Sequence, residues 1–142
     1  MKFLVVSGLI GSGTSLLAQL AHETGVEMGM MCSFPMARGL MEWEDKPLVE
    51  YLTHRVSSRQ PVEVDLLVNY LASRVSKYGA FYPYQQFIGL GFKTPLAIVA
   101  REELEEAARR TGVELVWLLT ERAQDECWRA ICRKVNLSCR TG

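Results

Sequence analysis

The chain has 142 residues, 49% of them apolar, and sixteen basic side chains balance sixteen acidic ones. That length and apolar content suit one compact domain with a true core, while formal neutrality argues against binding nucleic acid or a membrane surface by bulk electrostatics. No apolar run reaches the roughly 18 residues of a spanning helix, so a cytoplasmic protein is expected.

Lys2 to Ser7 reads as a buried strand, because Phe3, Leu4, Val5 and Val6 are consecutive. The Met1–Val6 stretch is too brief for a signal peptide and runs straight into a glycine-rich loop, so it is assigned to the fold. That loop is Gly8-Leu9-Ile10-Gly11-Ser12-Gly13-Thr14-Ser15. After it, Leu16, Leu17, Leu20 and Ala21 recur at helical spacing, and Gly25 marks the stop. Strand, glycine turn and helix deliver backbone N–H groups and the positive end of a helix dipole to one spot, which suits a phosphate or sulfate. The loop matches G-x-x-x-x-G-K-[ST] at Gly8, Gly13 and Ser15, but Thr14 stands where the lysine belongs. In nucleoside triphosphatases that lysine reaches the β- and γ-phosphates. Without it the loop can hold an anion through backbone donors and the Ser12, Thr14 and Ser15 hydroxyls, and it is poorly equipped for ATP or GTP hydrolysis.

Residues 30–46 read as a loop that flaps over the site. Asp45 is placed to cap a helix from Pro47 to Ser57 that carries Leu48, Val49, Leu52 and Val56. Another helix opens at Pro61, with Leu67, Tyr70, Leu71, Arg74, Val75 and Tyr78 at helical spacing and Gly79 at its end. Phe87 to Phe92 is a second strand, and Thr94 caps a helix from Pro95 to Arg110 closed by Gly112. In it Glu105 and Glu106 precede Arg109 and Arg110 by four residues, the pattern of a solvated face. Val113 to Leu119 is so continuously apolar that a strand covered on both faces is expected, followed by a helix from Ala123 to Lys134. Alternating strands and helices imply an α/β domain with a parallel sheet and right-handed crossovers. Ligands then gather at the carboxyl ends of the strands, the edge that Gly8–Ser15, Lys93 and Arg122 share. The four cysteines show no C-x-x-C spacing, so reduced thiols and no metal site are expected.

Ser12-Gly13-Thr14-Ser15-Leu16-Leu17-Ala18 resembles the donor-binding loop of sulfotransferases, which commonly runs G-x-P-[RK]-S-G-T-[ST]-x-L. Gly25-Val26-Glu27-Met28-Gly29 follows the first helix as in bacterial and phage members, and Gly39–Asp45 is similar to their G-[FY]-x-E-[DN] segment. Gly91-Phe92-Lys93-Thr94-Pro95 resembles their K-x-P motif, and Val116–Arg122 resembles the strand ending in an arginine that contacts the donor's 3′-phosphate. The resemblance implies a three-layer αβα P-loop domain over residues 1–142. It would bind 3′-phosphoadenosine 5′-phosphosulfate as nucleotide donor and transfer its sulfuryl group to a small-molecule acceptor, a hydroxyl or an amine. It assigns Gly8, Gly11, Ser12, Gly13, Thr14, Ser15 and Arg122 to the donor and Lys93 to charge on the leaving phosphate. Glu44 and Glu42 become candidates for the general base, and Trp43, Tyr82 and Tyr84 for an acceptor pocket or adenine slot. Ile10 and Gly11 stand where the family has Pro and Arg or Lys, and Ala130 where it often has a serine. Two alternatives therefore stay open. One is a kinase-like phosphotransferase using magnesium, and the other a non-catalytic nucleotide- or anion-binding module whose site a partner chain completes.

Overall fold

A computed structural model describes residues 1–9, 12–29, 31–32, 44–77 and 87–134. Among them six strands and five α-helices follow in the order β1 (Lys2–Gly8), α1 (Thr14–Glu23), β2 (Val26–Glu27), β3 (Met31–Cys32), β4 (Glu44–Asp45), α2 (Lys46–Ser57), α3 (Val64–Ser76), β5 (Gly89–Lys93), α4 (Arg101–Thr111), β6 (Glu114–Thr120) and α5 (Gln124–Lys134). Four strands form a parallel sheet in the order β2-β5-β1-β6. β1 therefore sits between two neighbours, and Phe3, Val5 and Val6 are fully buried.

Strand alternation sorts the core into two layers. Phe3, Val5, Leu90 and Phe92 face α2, α3 and α4, meeting Leu48, Leu52, Leu67, Leu71 and Leu104. On the opposite face Val6 and Met28 pack against Ala18 and Ala21 of α1. The result is a mixed α/β fold with helices on both faces of the sheet, compatible with a three-layer αβα arrangement. Gly91 lets its neighbours in the sheet pack closely, because a Cβ there would lie 2.8 Å from the Leu4 carbonyl oxygen of β1 and 2.9 Å from Met28 Sδ. No helix of the described residues is long and apolar enough to cross a membrane.

Several sequence expectations change. The segment 30–46 is not wholly a loop: Met31–Cys32 and Glu44–Asp45 pair as an antiparallel ladder, and residues 33–43 lie outside the described part. The helix expected from Pro61 starts at Val64, with Tyr78 and Gly79 outside the described residues. The helix expected from Pro95 splits into a 3₁₀ turn, Pro95–Ala97, and α4; Thr94 does cap the turn, its Oγ1 accepting from the Leu96 N–H at 3.2 Å. Among the described residues β6 is a sheet edge rather than a strand covered on both faces, with Val116, Leu118 and Leu119 exposed by 42, 39 and 49%. An apolar run alone did not distinguish a central strand from an uncovered edge. Cys127 is free and buried, but Cys132 is disulfide-bonded, against the expectation of reduced thiols.

Candidate functional site

The loop after β1 is pinned to the neighbouring strand. Ser12 Oγ lies 2.5 Å from both the Leu9 carbonyl oxygen and Thr120 Oγ1, the last residue of β6. Gly8 is required by this approach: a Cβ there would come within 2.2 Å of Thr120 Oγ1. Gly13 is required for another reason, its left-handed backbone (φ 94°), which turns the chain into α1. No side chain caps the first turn of α1, and none of its residues there is acidic. The positive end of that helix is thus not offset by a carboxylate of its own turn. Ser12 and Thr14 are buried beside it. Gly11 and Ile10, as well as Glu42, Trp43, Tyr82 and Tyr84, lie outside the described residues.

Lys93 ends β5, directly beside β1, and register places it opposite Val6 on the α1 side of the sheet. Its side chain is buried, with Nζ 3.2 Å from Ser15 Oγ and 3.1 Å from Glu44 Oε1. Two residues singled out separately in the sequence, 49 positions apart, thus form one buried ion pair against the loop helix. The pairing answers what a buried ammonium needs, an opposite charge and hydrogen-bond acceptors. It also engages Glu44, so the expected general base is held by Lys93. Arg122, two residues beyond β6, lies at the same carboxyl edge. Its Nε is 3.5 Å from Glu126 Oε2 in a half-exposed pair along the start of α5.

A second buried group was not legible from the sequence. Asp45, expected to cap α2, makes no side-chain cap. Its carboxylate instead accepts from the Tyr70 hydroxyl and lies 3.2 Å from Arg74 Nη1. Arg74 further donates through Nη2 to the carbonyls of Glu27 (2.8 Å) and Gly91 (2.6 Å), tying α3 to the end of β2 and the middle of β5. Burial pushes the Tyr70 phenol well above its ordinary range; Arg74 opposes the shift and Asp45 adds to it, so the hydroxyl remains a donor. Burial works against the Arg74 charge, but Tyr70 and Asp45 outweigh it, and the guanidinium stays ionised. Beside this group, α2 and α3 enclose a cavity of about 430 Å³ lined by Pro47, Leu48, Tyr51, Leu66 and Tyr70, with Asp45 and Arg74 in its wall. Successive residues of β4 therefore serve two places: Glu44 reaches Lys93, and Asp45 borders the cavity.

Among the described residues no group of three or more His, Cys, Asp or Glu side chains could hold a metal ion. Comparison with known proteins gives no matching family model, no matching curated protein and no matching solved structure.

Proposed function

We propose that the chain is a P-loop sulfuryl transferase of the sulfotransferase type, using 3′-phosphoadenosine 5′-phosphosulfate as donor. The observation that carries this reading is Lys93. It brings a buried ammonium to 3.2 Å from Ser15 Oγ, supplying the positive charge that the loop lacks at Thr14. The uncapped turn of α1 and the Ser12 and Thr14 hydroxyls would hold the 5′-phosphosulfate, and Arg122 the 3′-phosphate. An acceptor oxygen or nitrogen would attack sulfur, the bond from sulfur to the bridging phosphate oxygen would break, and the acceptor proton would pass to a base. Lys93 stabilises charge on the departing phosphate. An anion drawing the Lys93 ammonium toward the loop frees Glu44 to serve as that base. The α2–α3 cavity, one residue along β4 from Glu44, suits an acceptor with an apolar body.

The Glu44–Lys93 pair also favours a second reading, a non-catalytic nucleotide-binding module, because the carboxylate offsets the cation that reaches Ser15. Thermal unfolding with 3′-phosphoadenosine 5′-phosphate, and separately with magnesium-ATP, tests both. Saturation at a hundred times the dissociation constant adds about 2.7 kcal/mol. Stabilisation by the bisphosphate, with sulfuryl transfer to apolar alcohols or amines, is the expected result; stabilisation without transfer selects the module. A response to magnesium-ATP alone replaces the reading with phosphotransfer, and silence with both ligands overturns it.

A further inference from the structure

β6 has one neighbour in the sheet, β1, and its other edge is unpaired among the described residues. The Glu114 N–H donates to the Met1 carbonyl at 3.0 Å, so the even-numbered residues of β6 bond toward β1. The N–H and C=O groups of Leu115, Trp117 and Leu119 consequently point outward. Natural edge strands are usually blunted by lysine, proline, a bulge or a covering element. The sequence of β6, ELVWLLT, carries none of those residues inside it, and Val116, Leu118 and Leu119 are exposed. α1 packs on the face that bears Val116 and Leu118 and turns Leu16 and Leu20 to solvent.

We propose that β6 is the seam of a homodimer, in which two copies pair β6 with β6 antiparallel about a twofold axis at Leu118. The charge pattern selects a second copy as the occupant. Leu118 lies midway between Glu114, at the start of the strand, and Arg122, just past its end. A twofold axis there sets Glu114 of each copy opposite Arg122 of the other, so both ends of the seam carry opposite charges. The same register makes Trp117 and Leu119 a hydrogen-bonded pair that uses the outward N–H and C=O groups. It brings Leu118 against Leu118 in a non-hydrogen-bonded pair, where side chains approach most closely. Val116 and Leu118 of both copies then form one apolar stripe, and the two sheets become continuous through eight strands. The seam shares Arg122 with the proposed donor site, and its test reads oligomeric state rather than activity.

Sedimentation velocity and light scattering from low-micromolar to submillimolar protein test it. Wild type is expected to dimerise as concentration rises. Glu114→Arg or Arg122→Glu alone, which place like charges face to face, should weaken the dimer about tenfold or more, and the double reversal should restore it. Leu118→Lys, which sets two ammonium groups at the axis, should leave a monomer with unchanged far-ultraviolet circular dichroism. If that variant fails to fold, the charge reversal at the two surface residues carries the test alone. A wild type that stays monomeric throughout, a folded Leu118→Lys dimer, or a double reversal as weak as the single ones overturns the proposal.

Discussion

Lys93 ends a central strand with its ammonium buried between Ser15 and Glu44. Removing one partner of such a pair leaves the other charge in a medium that solvates it poorly, which costs about 3–5 kcal/mol. Lys93→Met should therefore lower unfolding stability, by up to about that amount in urea titrations, because the buried Glu44 carboxylate loses its ammonium partner. Lys93→Met combined with Glu44→Gln should recover most of the loss, since neither charge remains. The nucleotide-induced thermal shift should stay absent in both variants, as the cation facing the loop is missing from both. Stability recovered together with the ligand response would show that Lys93 only balances Glu44. A double variant no more stable than the single one would mean that its contact with Ser15 matters more than the ion pair.

Helix positions were legible in the sequence where an apolar stripe repeats. Leu48, Val49 and Leu52 of α2 and Leu67 and Leu71 of α3 are buried as their spacing required. Two-residue strands carry no period, so the β3–β4 ladder could not be read, nor could the partners of Asp45, which lie 25 and 29 residues away. The topology of strands and crossovers brought Lys93 to the loop, but nothing local in the sequence linked it to Glu44. On α4 the charged face is solvated as the spacing implies, but its pairs differ in detail. Glu106 serves both Arg109 and Arg110, while Glu105 accepts from Trp117 Nε1 at 2.5 Å. Hydrogen bonds from Arg109 and Arg110 hold the Glu106 carboxyl down at about 2, against an ordinary value of 4.5. A value depressed in the folded state gives stability that is complete above the ordinary value and is lost as pH falls through the depressed one. Glu106→Gln should therefore flatten the acid limb of stability between pH 4.5 and about 2. Its effect near neutrality should be slight, because exposed pairs are screened by solvent. An acid limb of unchanged slope would show that the hydrogen bonds do not persist in solution.

At the scale of the whole molecule, the sheet is more secure at its centre, β1, than along β6. β1 gives hydrogen bonds to strands on both sides and is covered by both helical layers, whereas β6, among the described residues, is bonded along one edge and partly open on its α1 face. Amide exchange reports this difference directly, because an amide bonded within a buried sheet exchanges only when that unit opens, and an unbonded edge amide needs no opening. The direction of the Glu114 N–H adds a finer expectation: protection along β6 should alternate. In dilute protein the amides of Val116, Leu118 and Thr120 should exchange slowly, near the rate of β1, and those of Leu115, Trp117 and Leu119 rapidly. Raising the protein concentration should slow the second set and leave the first unchanged, since only the outward groups gain partners when two β6 edges meet. Uniform protection at every concentration would instead mean that the edge is already covered within one chain. Uniformly fast exchange would mean that β6 opens independently of β1, which would also release Thr120 from Ser12 and the loop it pins.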